Sequence, residues 1–248
     1  MSSLNLPPVV RNSKPEQEVI PDYLYTKDEV LTLFTPSSTE RIFGKPGASL
    51  TWGIGGIRHS DVLVAGKEGE NATGKVLAEL SSKLPELYVF HSLRWPESNG
   101  DTDHAIVYKN LVMIIDTKRW KGSRKYSITI KGEIKRGTVP FPEGKVKIGG
   151  ALQVWRRKVP QALIKGVVAI AQEKVFVVRD HNWYKAPYRL VEQEKLDQYI
   201  VETIEKHKVP ADYLGNRKIL ETFASLLVKP RDPRAGLIQG NTENPFKR

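Results

Sequence analysis

Two apolar runs, Asp103–Tyr108 and Leu111–Thr117, are separated only by Lys109-Asn110. Runs this short and this rich in Val and Ile read as strands. Apolar residues fall on both alternating faces, which predicts strands covered on both sides, in the middle of a sheet. Two intervening residues suffice for a tight antiparallel turn. Tyr108 then faces Leu111, and the same register sets Asp103 opposite Asp116, with Cβ atoms about 5 Å apart.

The surrounding sequence supplies partners for such a pair. From Glu70 to Leu84, Ala72, Val76, Leu77, Leu80 and Leu84 recur at helical spacing, and Pro85 ends the pattern. Leu87–His91 reads as another strand. Tyr126–Ile130 and Glu133–Val139 read as a basic hairpin joined through Lys131-Gly132. Ala151–Val159 is expected as a helix stopped by Pro160. Lys165–Ala171 and Val175–Arg179 are expected as strands, and Val191–Lys206 and Arg217–Leu227 as helices. Residues 1–60 are broken by prolines, with a short helix expected at Thr26–Phe34 and a turn at Gly53-Ile54-Gly55-Gly56. The order predicts an α/β core at 61–190, an N-terminal extension at 1–60, and a helical C-terminal region and tail at 191–248.

The chain has 248 residues, enough for one or two domains. It has no cysteine, which excludes disulfides, Cys-ligated zinc, iron–sulfur clusters and thiol catalysis. The purely apolar run Val167–Ala171, as long as any in the chain, is far short of the ~20 residues of a membrane span, so no membrane partner is expected. Prolines and acids stand near the N-terminus where a signal peptide would be apolar, so a soluble, cytoplasmic protein is expected.

The net charge is +11, and one window holds all of the excess. Between Thr117 and Pro160 lie thirteen basic residues: Lys118, Arg119, Lys121, Arg124, Lys125, Lys131, Lys135, Arg136, Lys145, Lys147, Arg156, Arg157 and Lys158. The only acids there are Glu133 and Glu143, while the rest of the chain balances. Such a local excess points to a polyanionic partner, most simply nucleic acid. A solvated basic surface is the plain alternative.

Two opposed carboxylates repel unless something compensates them. A divalent cation does so, since Mg²⁺ is commonly held by one or two carboxylates with water and substrate phosphate. Lys118, two residues past Asp116, points to the same side of its strand. Two acids and a lysine thus converge, and the lysine is placed to orient a water. Glu70 opens the predicted helix; it joins the set only if that helix docks beside the sheet, and otherwise stabilises the helix N-terminus. Asp101 is expected in a turn with Asn99-Gly100. His59, His91, His181 and His207 have no partner at metal-ligand spacing, and His104 faces away from Asp103.

Gly66-Lys67-Glu68-Gly69-Glu70, then Thr102-Asp103-His104, then Ile114-Ile115-Asp116-Thr117-Lys118-Arg119-Trp120-Lys121-Gly122 resemble the nuclease-related domain (NERD) of the PD-(D/E)xK restriction-endonuclease-like superfamily. The resemblance spans Gly66 to Asp180. It implies a restriction-endonuclease-like core, a central mixed β-sheet flanked by helices, with N- and C-terminal extensions. It implies a metal-dependent deoxyribonuclease, a phosphodiester hydrolase with Glu70, Asp103, Asp116 and Lys118 as catalytic residues. Glu70, Asp103 and Asp116 would hold Mg²⁺ or Mn²⁺. The family's third acid is often Glu where this chain has Asp116, and Asn often follows the lysine where this chain has Arg119. Gln153 resembles a glutamine that such domains carry on a helix after the sheet.

In this reading DNA is the expected partner, and a homodimer is compatible with it. The strand would be held through its phosphates by Arg119, Lys121, Arg124, Lys125, Lys131, Lys135, Arg136, Gln153, Arg156 and Arg157. Trp120 and Tyr126 either stack on unpaired bases or pack against the sheet. Three other readings compete. Gly69-Glu-Asn-Ala-Thr-Gly74-Lys75 has the letters of a phosphate-binding loop after a strand at Asp61–Ala65, but Val76 stands where Ser or Thr should bind Mg²⁺. A nuclease-like fold without activity would bind nucleic acid and not cut it. An assembly protein would use the basic window on a protein partner.

Overall fold

The structure, a computed structural model, describes residues 23–33, 39–52, 60–95, 100–120, 125–142, 146–179, 183–211 and 213–230. The chain runs α1 (Lys27–Leu33), β1 (Ile42–Phe43), α2 (Ala48–Thr51), α3 (Ser60–Lys83), β2 (Leu87–Arg94), β3 (Asp101–Tyr108) and β4 (Leu111–Lys118). It continues through β5 (Lys125–Ile128), β6 (Ile134–Arg136), β7 (Val139–Pro140), α4 (Ile148–Lys158), β8 (Leu163–Ile170) and β9 (Phe176–Val177). β10 (Arg189–Glu192), α5 (Leu196–Glu205) and α6 (Arg217–Ala224) complete it.

Lys109 adopts φ 53°, the left-handed conformation a tight hairpin turn requires. Tyr108 pairs with Leu111, and the register runs unbroken to His104 against Ile115, as the spacing predicts. β3 also pairs with β2, and β4 runs parallel to β8 from Leu111–Leu163 to Lys118–Ile170. The six-stranded mixed sheet has the order β1-β2-β3-β4-β8-β10, with β3 and β4 at its centre. A second sheet, β7-β6-β5-β9, contains the expected basic hairpin, closed by Thr129 N–H on the Glu133 carbonyl.

Both faces of the main sheet are covered. On one face Leu77 and Leu80 of α3 and Leu196 and Ile200 of α5 meet Ile106, Met113, Ile115 and Val167. On the other, α4, α6 and the inner face of the small sheet cover Ala105, Val107, Val112 and Ile114. Trp155 of α4 is fully buried and stacks on Phe223 of α6, ring centroids 4.3 Å apart. This is the α/β architecture expected for a restriction-endonuclease-like core, a central mixed sheet flanked by helices.

Two expectations need correction. α3 begins at Ser60, ten residues before Glu70, and passes without a break through Gly66, Gly69 and Gly74. Asp61–Ala65 is therefore helix and not strand, and Gly69–Lys75 forms no phosphate-binding loop. These glycines serve close packing: a Cβ at Gly69 would lie 3.3 Å from Thr117 Cγ2, and one at Gly74 2.6 Å from Pro46 Cγ. Val191 does not start a helix. Leu190 and Val191 are both buried in β10, parallel to β8, and α5 starts only at Leu196. The turn expected at Gly53–Gly56 lies outside the described residues.

Candidate active site

Alternation along β4 sorts its end. Leu111, Met113 and Ile115 face α3, and Thr117 follows them, its Oγ1 donating to Thr73 Oγ1 at 3.1 Å. Val112 and Ile114 face α4, and Asp116 and Lys118 continue on that side. Lys118 Nζ lies 2.7 Å from Asp116 Oδ1. Asp116 Oδ2 is buried and has no hydrogen-bond partner.

Asp103 occupies a break in two ladders. Pairing of β3 with β4 ends at His104–Ile115, one step short of Asp103–Asp116. Pairing with β2 skips Ser92, which adopts φ 53°. The Asp103 carboxylate fills the gap, its Oδ2 accepting the Thr117 N–H at 2.6 Å. One step further, Thr102 Oγ1 accepts the indole N–H of Trp95 at 3.0 Å and that of Trp155 at 3.1 Å. These contacts anchor the start of β3 to α4.

Glu70 reaches the same end of the sheet from α3, because Gly69 lets the helix cross closely over Thr117 and Ala171. Glu70 is 3% exposed. Its Oε2 accepts the Gly47 N–H at 2.8 Å, and Gly47 sits at φ 74°, where a side chain would be strained. Burial pushes the Glu70 carboxyl up to about 7; the Gly47 hydrogen bond and Lys118 oppose this, and Asp101 and Asp116 add to it. Burial also holds the Asp103 carboxyl well above its ordinary range, reinforced by Glu70, Asp116 and Asp101 and opposed by Lys118.

The four acids Glu70, Asp101, Asp103 and Asp116 therefore share one field with one lysine. Asp101 was expected in a turn; it begins β3 instead, two residues from Asp103, and that alternation was the available signal. Tyr188 had no local signal. Its phenol is pushed up to about 12 by burial and by the charge of Asp116, and its hydroxyl donates to the Gly132 carbonyl at 2.5 Å. The turn of the basic hairpin is thus moored to the main sheet through Tyr188, which lies against Gly166 of β8.

The donor set is made of hard carboxylate oxygens in negative excess, one of them buried and unpartnered. That fits a hard divalent cation held by one or two carboxylates and water. Among the described residues, no three His, Asp or Glu side chains stand close enough to form a complete cation cage by themselves.

The basic window is spread around this point. Lys121 and Arg124 lie outside the described residues. Arg119 is ion-paired with Glu68. Trp120 packs on Tyr126 and Phe141, with centroids at 4.8 and 5.2 Å; Tyr126 is fully buried, while Trp120 is half-buried. Arg136 covers the Phe141 ring at 3.8 Å, while Lys125 and Lys131 are exposed and Lys135 half-buried. Gln153, Arg156 and Arg157 are exposed on α4. The two arginines close its last turn, shortly before Leu163, which pairs with Leu111 at the opposite end of β4 from Lys118.

His91, which has no partner at metal-ligand spacing in the sequence, and His104 pair across β2 and β3, Nδ1 to Nδ1 at 2.7 Å. His207 Nε2 meets Asn110 Oδ1 at 2.8 Å.

Residues 65–171 match the family model of the nuclease-related domain, NERD, and that span holds Glu70, Asp103, Asp116 and Lys118. No curated protein and no solved structure matches the chain. Among the described residues no helix is long and apolar enough to cross a membrane, and nothing supports a homodimer. Residues 65–171 are thus similar to the nuclease-related domain, a family of the restriction-endonuclease-like superfamily, and this match suggests a nuclease-related function and interaction with nucleic acid.

Proposed function

We propose that the chain is a metal-dependent nuclease that hydrolyses phosphodiester bonds, with DNA as substrate. The observation behind this reading is the excess of buried carboxylate around Lys118, with Asp116 Oδ2 left unpartnered. Asp103 and Asp116 would hold Mg²⁺ or Mn²⁺, with Glu70 as a further ligand. When bound, the cation supplies a water of lowered pKa and stabilises charge on the phosphate oxygens. Lys118 orients the water or the phosphate, and its own direction is set by Asp116 Oδ1. Gly47 fixes Glu70, and the Thr117 N–H fixes Asp103, so two of the acids are held before substrate arrives. Lys125, Lys131 and Lys135 hold the strand by its phosphates without reading sequence.

The test is cleavage of linear and circular DNA, single- and double-stranded, and of RNA, with Mg²⁺, Mn²⁺ or EDTA, by the parent, Asp116→Ala and Lys118→Ala. Metal-dependent cutting lost in both variants supports the reading. The absence of a complete three-acid cage among the described residues favours a second reading, a nucleic-acid-binding protein without catalysis. Salt-sensitive binding by parent and variants alike, with no cleavage, would establish that one.

A further inference from the structure

Two surfaces flank the end of β4. On the α3 side an open groove of about 1270 Å³ runs beside Arg119, lined by the acids Asp61, Glu68, Glu173 and Glu194. Its basic residues are Arg119, already paired with Glu68, and Lys174. A polyanion is repelled there. On the α4 side lies the small sheet, whose register defines an outer face. Phe176 of β9 pairs with Lys125 of β5, while Ser127 of β5 pairs with Lys135 of β6, which in turn pairs with Pro140. Val178, whose N–H donates to the Tyr126 carbonyl, continues the alternation from Phe176. Phe176 is 57% and Val178 48% exposed, although their neighbour Val177 packs into the core.

An exposed Phe and Val on a sheet face beside two lysines are what a single nucleic-acid strand requires. Bases stack on apolar and aromatic surface while cations follow the phosphates. Duplex offers its phosphates to the lysines but keeps its bases stacked on one another. The sheet is tied to the strands that carry the carboxylates through its hairpin turn: Tyr188 donates to the Gly132 carbonyl and lies against Gly166 of β8, two residues from Val168, the partner of Asp116. From Lys125 to Ile130 the hairpin spans roughly 15 Å, a distance of a few nucleotides.

We propose that the outer face of the small sheet, formed by Phe176, Val178, Lys125 and Lys135, binds an unpaired stretch of nucleic acid and leads it to the acids around Lys118. The proposal rests on the nuclease reading and adds the substrate class: single-stranded or single-strand-tailed. The aromatic contact comes from β9, outside the basic window, and not from Tyr126, which is buried, or Trp120, which is half-buried beside the acidic groove.

The experiment is fluorescence anisotropy with the full chain in EDTA, using a labelled oligothymidylate and a blunt duplex of equal length. The parent should bind the single strand more tightly. Phe176→Ala with Val178→Ser should weaken single-strand binding roughly tenfold and duplex binding less than about twofold, and Phe176→Trp should keep the parent's affinity. Equal loss on both ligands, no loss, or a parent that does not bind the single strand would overturn the proposal. Cleavage with Mg²⁺ or Mn²⁺ is measured alongside. A parent that binds as expected but cuts nothing keeps the platform and removes the nuclease reading. A parent that cuts, with a double variant that binds single strands equally well, removes the platform alone.

Discussion

Lys118 Nζ sits 2.7 Å from Asp116 Oδ1, while the other oxygen of the same carboxylate is buried without a partner. The lysine thus neutralises one side of Asp116 and leaves the other available. The two residues are expected to respond differently to mutation. Lys118→Ala should lower cleavage by about 100-fold or more, the usual scale for a group that acts on the reacting water. It should leave Mg²⁺ binding, read by calorimetry, intact or tighter, because a competing cation is gone. Asp116→Ala should abolish both. Loss of Mg²⁺ binding in Lys118→Ala would show that the lysine builds the site and does not act in it.

The raised Glu70 carboxyl makes the site pH-dependent. A group whose folded pKa exceeds its unfolded value stabilises the fold fully below the unfolded value, near 4.5, and that contribution is lost as pH rises through about 7. Asp103 acts in the same direction. Cation-free protein should therefore lose thermal stability from these groups between about pH 4.5 and 7, and Glu70→Gln should flatten that loss. Mg²⁺ must displace the bound protons, so its affinity should rise with pH across the same range and it should restore the melting temperature at pH 8. Melting curves with and without Mg²⁺ across that range check both points.

The hairpin and its register were legible because two short apolar runs separated by only two residues leave a single tight-turn pairing. Asp103, Asp116 and Lys118 followed as candidates from that register and from the family resemblance, and Glu70 from the resemblance. The first ten residues of α3 were not legible, since Val62 and Val64 are exposed and Gly66 and Gly69 weaken any helical signal. β10 was hidden because four strand residues run almost directly into α5. Gly47 and Tyr188 reach the site only through tertiary contacts, with no local pattern to mark them. For Trp120 and Tyr126 the basic neighbours left stacking and packing both open; strand alternation turns Tyr126 into the core.

The buried pair His91 and His104 predicts an acid limb in stability. Burial lowers the His91 pKa to about 4, and burial, reinforced by His91, holds that of His104 well below its ordinary value. A histidine lowered in the fold contributes stability that is complete above its unfolded value, near 6.5, and lost as pH falls toward the folded value. The window is therefore about pH 6.5 down to 4, opposite in sign to that of Glu70. Replacing both residues with leucine should remove this acid limb. Replacing only one leaves a buried ring nitrogen unpaired and should cost about 1–3 kcal/mol at neutral pH. Denaturant melts of the two single variants and the double variant, at pH 5 and pH 7.5, separate these outcomes.

Gly74 and Gly149 are both helical glycines, and alanine is the better helix former by about 1 kcal/mol. Their surroundings decide the sign. A Cβ at Gly149 in α4 meets nothing within 4 Å, so Gly149→Ala should raise the melting temperature by a few degrees. A Cβ at Gly74 in α3 would lie 2.6 Å from Pro46 Cγ and 3.7 Å from His91 Cε1. Pro46 is a rigid ring next to Gly47, whose N–H fixes Glu70. Gly74→Ala should therefore push α3 away from that loop, lower the melting temperature despite its better propensity, and weaken Mg²⁺ binding through Glu70. A Gly74→Ala variant that melts higher than the parent, as Gly149→Ala should, would mean that α3 does not approach the loop this closely in solution.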